Sequence, residues 1–282
     1  MYKIVKKEVL APNIFSMDIE APRVAKSAQP GQFVIIIDNE KGERVPLTIC
    51  DYDAQKGTVQ IVVQAMGKST KDMAAMEEGD YFKDFVGPLG KASEFVHMDL
   101  EELRKQRFLF VAGGVGAAPV YPQARWFHEN GIKCDIILGA KNKELVILED
   151  KLASVSENLY VCTDDGSYGF HGLVTAYIEE LVVNQGKKYD HVVAIGPMIM
   201  MKFVALTTKK YNLPTTVSLN PIMVDGTGMC GACRVTVDGK TQFACVHGPE
   251  FDGHVVDFDE ALKRQTQYKD IEVVKDCKLE EA

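Results

Sequence analysis

The sequence predicts a small antiparallel β barrel, then a parallel α/β domain, then a short module with clustered cysteines and a hairpin. Up to about residue 98, short β runs are separated by turn signals such as Pro30-Gly31 and Lys56-Gly57. From there to residue 219, nearly continuous apolar strands alternate with helical segments, which is typical of a parallel sheet covered on both faces. We therefore predict domains at 1–98, 99–219 and 220–282.

The barrel is predicted from six short strand patterns that follow one another with tight turns. One helix candidate, Thr70–Glu77, precedes the last strand. The predicted strands are Tyr2–Val9, Ile14–Glu20, Phe33–Asp38, Val45–Tyr52, Val59–Ala65 and Tyr81–Val86.

The α/β domain is predicted from five apolar strands joined by four helical segments, a pattern that favours right-handed crossovers. The predicted strands are Phe108–Ala112, Asp135–Leu138, Leu159–Thr163, His191–Ile195 and Thr215–Leu219. The predicted helices are Ala118–Asn130, Val146–Val155, Leu173–Val183 and Met198–Lys210. In the last region, Asp238-Gly239 between Arg234–Val237 and Lys240–Phe243 predicts a tight hairpin, and a charged tail follows.

The overall composition excludes several classes of protein. Hydrophobic residues make up 46% and charged residues 26% of the 282 residues, as in ordinary globular proteins. The net charge of −8 argues against a nucleic-acid partner and against an anionic membrane surface. Apolar runs are too short to span a membrane, and the N-terminus lacks the pattern of a signal peptide. We expect a cytoplasmic protein.

The seven cysteines are unevenly distributed, since Cys230, Cys233 and Cys245 lie close together. In a chain with no export signal, this grouping favours a metal site plus inert thiols over a disulfide framework. Cys277, in the charged tail, has no predicted role.

The stretch 108-FLFVAGGVGAAP-119 predicts a strand, a glycine turn and a helix start. Gly113, Gly114 and Gly116 allow the backbone to approach a ligand, and a helix N-terminus attracts phosphate. The spacing differs from the usual dinucleotide fingerprint, and no acidic residue ends the second strand. Taken alone, the turn fits a nucleotide site and an ordinary tight turn equally well.

Two further turns follow the third and fourth strands of the same predicted sheet. Open α/β sheets bind ligands at the carboxyl ends of their strands, so these turns favour a nucleotide site. Their candidate residues are Asp164, Asp165 and Gly166 in one turn and Gly196, Pro197 and Met198 in the other.

Two polar stretches mark the barrel, 44-RVPLT-48 and 67-GKST-70. The second lies at a predicted helix start, where N–H groups can bind phosphate. Helix capping by Ser69 or Thr70 is the plainer explanation of these hydroxyls. A P-loop is rejected because Val62 stands where its first glycine is required.

The stretch 223-MVDGTGMCGACRV-235 resembles the start of a plant-type [2Fe–2S] site, C-x4-C-x2-C with a distant fourth cysteine. Asp225 occupies the register of the first cysteine, and the predicted hairpin returns Cys245 to Cys230 and Cys233. A zinc site of the three cysteines with His247 is the rival interpretation. The residues by themselves favour the cluster only modestly.

In their order and spacing, these motifs resemble ferredoxin–NADP reductase-like flavoproteins of the dihydroorotate dehydrogenase electron-transfer subunit type. More closely, the chain resembles the small subunits of NADH-dependent reduced ferredoxin:NADP oxidoreductases. The resemblance covers nearly the whole chain. The matching stretches are 30-PGQFV-34, 44-RVPLT-48, 67-GKST-70, 87-GPLG-90, 112-AGGVGAAP-119, 164-DDGSYG-169, 196-GPM-198 and 225-DGTGMCGAC-233.

The resemblance implies FAD on the barrel, NAD(H) or NADP on the α/β domain, and a [2Fe–2S] cluster near the C-terminus. For FAD it implies Arg44, Val45, Pro46, Leu47, Thr48, Val63, Gln64, Gly67, Ser69 and Thr70. For the nicotinamide nucleotide it implies Gly113, Gly114, Val115, Gly116, Ala117, Asp164, Asp165, Gly166, Gly196, Pro197 and Met198. For the cluster it implies Asp225, Cys230, Cys233 and Cys245.

Two positions depart from the pattern of the electron-transfer subunits. Val45 takes the position of an arginine, which here stands one residue earlier as Arg44, so the arginine–phosphate contact is open. Ile195 replaces the cysteine of a Cys-Gly-Pro turn, so any role of that cysteine is lost.

The resemblance implies an oxidoreductase subunit that exchanges hydride between NAD(H) and FAD. It implies that single electrons then pass through the cluster to a larger flavin and iron–sulfur partner in an electron-bifurcating heterodimer, with ferredoxin as an indirect partner. No catalytic acid or base is predicted, and Thr48 is expected near the flavin. The alternatives are a dihydroorotate dehydrogenase electron-transfer subunit and a zinc-stabilised nucleotide-binding regulator. Lys141 and Lys143 leave NAD versus NADP open.

Overall fold

The computed structural model describes residues 1–267, and Cys277 of the predicted charged tail lies outside them. Its first part is the predicted antiparallel barrel. Seven strands form one sheet in the order β6-β1-β2-β5-β4-β3-β7. The strands are β1 (Tyr2–Ala11), β2 (Ile14–Glu20), β3 (Phe33–Ile37), β4 (Val45–Asp53), β5 (Thr58–Gln64), β6 (Tyr81–Phe82) and β7 (Asp84–Leu89).

The predicted sixth strand is divided in two because the chain changes partner at Lys83. β6 pairs with β1 and β7 pairs with β3, so the two ends of the sheet meet and the barrel is nearly closed. Helix α1 (Pro22–Ser27) was not predicted, and α2 (Lys68–Ala75) begins two residues before its predicted start. Alternate residues of the strands fill the barrel core.

The second part is the predicted α/β domain, with parallel strands in the order β11-β10-β9-β8-β12-β13. Every residue of β8 and β9 is buried, as expected for strands covered on both faces. The strands are β8 (Phe108–Gly113), β9 (Cys134–Ala140), β10 (Asn158–Thr163), β11 (Phe170–His171), β12 (His191–Ile195) and β13 (Thr215–Ser218). The helices are α3 (Leu100–Arg104), α4 (Ala117–Glu129), α5 (Glu149–Val155), α6 (Val174–Glu179) and α7 (Met198–Lys210).

The last part contains the predicted hairpin, β14 (Arg234–Val237) and β15 (Lys240–Phe243). Asp238 and Gly239 both have positive φ, 50° and 68°, as such a turn requires. Three elements were not predicted: α8 (Ala244–His247), β16 (Glu250–Asp252) and α9 (Phe258–Gln265). β16 pairs antiparallel with β13 and so adds a seventh strand to the α/β sheet.

The barrel and the α/β domain share a continuous apolar core. Cys50 and Val62 of the barrel belong to the same buried group as Phe110 and Phe127. This packing fixes the position of the sheet's carboxyl edge relative to the barrel. Within residues 1–267, no helix is both long and apolar enough to cross a membrane.

Candidate functional site

The glycine turn after β8 lies against the turn after β12. A Cβ atom on Gly116 would stand 2.1 Å from the carbonyl oxygen of Ile195, and one on Gly196 would stand 3.1 Å from the Cα of Gly113. Gly114 differs, because it has a φ of +54° and no atom within 4 Å of its Cβ position. Gly116 and Gly196 therefore permit close backbone packing, and Gly114 leaves an open approach to the start of α4.

The other nucleotide candidates occupy the same edge but differ in exposure. Asp164, Asp165 and Pro197 are exposed, whereas Ala117 and Met198 are buried, so the last two can offer only backbone atoms to a ligand. Gly166 has a φ of +73° and Val115 is half-buried.

The side chain of Asp165 is turned toward its own loop. Hydrogen bonds from Ser167 lower the pKa of its carboxyl, and its Oδ1 accepts the Ser167 N–H at 2.9 Å. The ammonium of Lys143 lies 5.2 Å from the ring centre of Tyr168. Lys141 is exposed.

Strand β4 divides the flavin candidates between two faces of the barrel. Val45 and Leu47 pack against the barrel core. Because side chains alternate along a strand, Pro46 and Thr48 lie on the opposite face. Pro46 lines a groove of about 500 Å³ together with residues 220–223 and the end of α9.

On β5, Val63 is buried in the barrel core and Gln64 is exposed. Val63 can therefore contact a cofactor only through its backbone.

The start of α2 combines a cap with an open surface. The Thr70 Oγ1 accepts the N–H groups of Met66 and Gly67 at 2.9 and 3.1 Å, which is the capping role that the sequence left open. Ser69 Oγ donates to Glu43 Oε2 at 3.1 Å. No atom lies within 4 Å of a Cβ built on Gly67, so a phosphate group could approach this helix start.

Arg44 does not project freely into solvent. Its Nη2 donates to the backbone carbonyl oxygen of Asp225 at 2.9 Å, and its Nε is buried without a hydrogen-bond partner. The structure thus joins the arginine beside β4 to the cysteine-bearing segment, a contact that no sequence signal indicated.

Two of the candidate metal ligands are brought together at the barrel surface. The Sγ atoms of Cys233 and Cys245 are 3.2 Å apart, and both residues are 2% exposed. They pack with Phe33 and Ile35 of β3. Burial and the neighbouring Cys233 thiol raise the pKa of the Cys245 thiol to about 12.

Asp225 and Cys230 remain at the surface of the same region. The N–H of Ala232 lowers the pKa of the exposed Cys230 thiol, to which it donates at 3.5 Å. Hydrogen bonds from Thr227, and to a smaller extent the charge of Arg44, lower the pKa of the Asp225 carboxyl. In the described part of the chain, no three acidic, histidine or cysteine side chains form a ready metal-binding group.

The donor set nevertheless fits an iron–sulfur cluster. Three thiols and a carboxylate lie in one region, and backbone N–H groups of its glycine-rich segment approach Cys230 and Cys245. His247 fits a zinc site less well. Its Nδ1 accepts the N–H of Phe243 at 2.9 Å, and it stands two residues from Cys245 in α8, so the two side chains diverge.

One partly buried residue near the site, Glu250, has no counterpart in the sequence interpretation. The carboxyl of Glu250 on β16 accepts hydrogen bonds from Ser93 at 2.8 Å and from Gln123 at 2.7 Å. Burial raises the pKa of Glu250 to about 7. Nothing in the local pattern of residues 250–252 distinguishes this glutamate from a surface one.

Comparisons with known proteins agree with this arrangement. Residues 220–257 match the iron–sulfur cluster binding domain of dihydroorotate dehydrogenase B, and residues 110–206 match the oxidoreductase NAD-binding domain. The chain is similar to a solved structure of an NADH-dependent reduced ferredoxin-NADP oxidoreductase, with 45% identity and a TM-score of 0.89 over 97% of this chain and 96% of that one. Phthalate dioxygenase reductase has the same fold at 18% identity, with a TM-score of 0.57 over 86% and 92% of the two chains.

Two relatives match almost the entire chain. A protein of Clostridium beijerinckii, described as an uncharacterized protein in the adh 3' region, is 66% identical over 100% of this chain and 95% of its own length. A homolog of the electron transfer subunit of dihydroorotate dehydrogenase B (NAD(+)) from Thermotoga maritima is 47% identical over 96% of this chain and 93% of its own. The chain therefore belongs to the family of dihydroorotate dehydrogenase B electron transfer subunits and their homologs.

Proposed function

We propose that this chain is an electron-transfer subunit of an NADH-dependent ferredoxin:NADP oxidoreductase of the electron-bifurcating kind. It would bind FAD, NAD(H) and one [2Fe–2S] cluster and would pass electrons to a larger flavin and iron–sulfur subunit. We also propose a cytoplasmic location, since a pyridine nucleotide is the electron donor.

The observation that carries this proposal is the shared face of β3 and β4. Phe33 and Ile35 belong to the same buried group as Cys233 and Cys245, and their cross-strand partners on β4 are Thr48 and Pro46. Cross-strand partners project to the same side of a sheet. The flavin candidates Pro46 and Thr48 therefore lie on the same face of the barrel as the cluster candidates Cys233 and Cys245, where electrons can pass over a short distance.

When bound, FAD exchanges hydride with the nicotinamide nucleotide, and the cluster carries single electrons. The chain's own residues bind and orient these groups. The open side of Gly114 admits the dinucleotide to the start of α4, and the open side of Gly67 admits a phosphate to the start of α2. Cys230, Cys233, Cys245 and Asp225 would ligate iron, and buried Phe33 and Ile35 would keep water away from the inner cysteines.

Two observations favour this function over dihydroorotate oxidation. The first is the 45% identity to a ferredoxin-NADP oxidoreductase chain; the Thermotoga maritima protein, at 47%, is named only as a homolog of the dihydroorotate dehydrogenase subunit, and proteins named as that subunit from Methanocaldococcus jannaschii, Fusobacterium nucleatum and Streptococcus pneumoniae are 37%, 32% and 32% identical. The second is Asp225, which stands where the plant-type pattern has its first cysteine.

The proposal is tested by anaerobic purification of the chain with its native partner. Once separated from the partner, the chain should contain FAD, two irons and two acid-labile sulfides, as in [2Fe–2S] sites. We also expect the complex to reduce NADP with electrons from both NADH and reduced ferredoxin. A partner that oxidises dihydroorotate would instead identify the chain as a dihydroorotate dehydrogenase electron-transfer subunit. Stoichiometric zinc without sulfide would refute both functions.

A further inference from the structure

Arg44 lies on the barrel face that carries the candidate cysteines. It immediately precedes β4, which begins at Val45. Its Nη2 reaches the backbone carbonyl oxygen of Asp225 at 2.9 Å. The arginine therefore contacts the residue that begins the ligand segment.

The contact is held from both sides. The Nε of Arg44 is buried, so the stem of the side chain is enclosed and the guanidinium cannot swing freely into solvent. The neighbouring Gly226 has a φ of +80°, and a Cβ atom there would lie 2.8 Å from Ile35 of β3. The absence of a side chain at Gly226 lets the segment lie directly on the barrel beside Arg44.

We propose that Arg44 is a positioning residue for the iron–sulfur segment, holding the backbone of Asp225 against the barrel and supplying a fixed positive charge beside the cluster. This inference deepens the proposed function and rests on it. It also explains why the arginine stands at position 44, one residue before its position in the electron-transfer subunits. From position 44 the guanidinium contacts the backbone of Asp225 and is not restricted to binding flavin phosphates.

A fixed cation stabilises the reduced, more negative state of a nearby cluster, and contacts around the ligands tune its electronic structure. Removing the charge should therefore lower the reduction potential of the cluster. A role confined to the flavin phosphates would leave the cluster unchanged and would lower the FAD content.

The test uses the anaerobically purified full chain and two variants, Arg44→Gln and Arg44→Lys. Arg107→Gln is the matched control. Arg107 is exposed and immediately precedes β8, at the end of the sheet opposite the nucleotide candidates. The measurements are an EPR-monitored redox titration of the cluster and the ratio of FAD to protein. We expect a more negative midpoint in Arg44→Gln at an unchanged FAD ratio. We expect a midpoint closer to the wild type but an altered EPR line shape in Arg44→Lys, and wild-type values in the control.

An Arg44→Gln protein with the wild-type midpoint and line shape overturns the inference, whether or not FAD is lost. If Arg44→Gln does not fold, Arg44→Lys provides the test. A wild-type EPR line shape of the cluster in Arg44→Lys would contradict the positioning role. A wild-type chain that shows no [2Fe–2S] signal at all refutes the proposed function itself. A cluster that is present but insensitive to position 44 refutes only this inference.

Discussion

Asp225 is the residue that separates this chain from plant-type iron–sulfur sites. Thr227 donates its N–H to the Asp225 carboxylate at 3.0 Å, so the side chain is oriented at the start of the ligand segment. An oxygen ligand donates less electron density to iron than a thiolate does. The reduced cluster is therefore favoured by the carboxylate if Asp225 is the fourth ligand.

Asp225→Cys should retain a [2Fe–2S] cluster and make its midpoint more negative by about 60 mV or more, which for one electron corresponds to a tenfold change in equilibrium constant. The measurement is a redox titration followed by EPR. His247→Ala is the control and should keep both cluster and midpoint. An unchanged midpoint in Asp225→Cys would count against Asp225 as a ligand, and loss of the metal in His247→Ala would indicate ligation by the histidine.

Gly116 allows the turns after β8 and β12 to pack closely, because it has no side chain. An added methyl group would meet the backbone oxygen of Ile195, which cannot move aside as a flexible side chain could. We expect Gly116→Ala to lower the free energy of unfolding by about 1–3 kcal/mol, as overpacking does, and to weaken NADH binding. Denaturant unfolding and NADH titration measure the two effects.

Gly131→Ala, at a turn far from this edge, gives the comparison for Gly116→Ala. Its positive φ of 69° adds backbone strain, but only an arginine side-chain atom lies near its Cβ position, at 3.8 Å. It should lose some stability and bind NADH normally. Equal NADH affinity in both variants would contradict the role of the paired turns.

At the scale of elements, β16 connects all three parts of the chain. It pairs with β13, and its Glu250 accepts hydrogen bonds from Ser93 after the barrel and from Gln123 of α4. Burial raises the pKa of Glu250 from its ordinary value of 4.5 to about 7, and the nearby charge of Glu94 acts in the same direction. The folded protein therefore holds a proton here that the unfolded chain releases.

The sign of the pH effect follows from this difference. Below pH 4.5 the carboxyl of Glu250 is protonated in both the folded and the unfolded state. Between pH 4.5 and 7 the unfolded chain releases this proton and the folded protein keeps it, so the free energy of unfolding falls as the pH rises. One unit of pKa difference corresponds to about 1.4 kcal/mol. Glu250→Gln should remove this slope and exceed the wild type in stability at pH 8. Denaturant unfolding at pH 5 and pH 8 tests it, with Glu20→Gln, at an exposed position of the barrel, as the control. A wild-type slope in Glu250→Gln would show that the carboxyl is ionised in the folded state.

The elements also show which structure the sequence can predict. The Asp238-Gly239 hairpin is specified locally, because few residues tolerate two successive positive φ values, and both of its strands were predicted with their observed bounds. β16 has only three residues and is a strand because it pairs with β13, so the local sequence has no periodic pattern from which it could be predicted. The contact between Arg44 and Asp225 joins residues that are distant in the sequence, so it could not be predicted from the sequence either.

At the scale of the whole molecule, an ion pair joins the barrel to the α/β domain. Arg125 of α4 pairs with Asp51 of β4, and its guanidinium lies 4.7 Å from the ring centre of Tyr52. Both charged side chains are largely buried, with 20% and 23% of their surface exposed. This contact helps to fix the nucleotide edge relative to the flavin face.

Arg125→Leu should lower the free energy of unfolding by about 1–2 kcal/mol, because the partly buried carboxylate of Asp51 then keeps only Lys151, at 3.7 Å, as a charged partner. It should also slow the reduction of flavin by NADH in stopped-flow measurements. Arg104→Leu is the control, since its pair with Glu101 is more exposed, and its loss should cost less than about 1 kcal/mol. Similar losses in the two variants would mean that the ion pair does not join the domains.

The central claim is that one face of the barrel brings a flavin and a [2Fe–2S] cluster together. The most direct test is a titration of the anaerobic, partner-free chain with NADH, followed at once by optical absorption and low-temperature EPR. The account predicts bleaching of the flavin band together with the appearance of the EPR signal of a reduced [2Fe–2S] cluster. Flavin bleaching in a chain that contains an oxidised cluster but never shows that signal would contradict it.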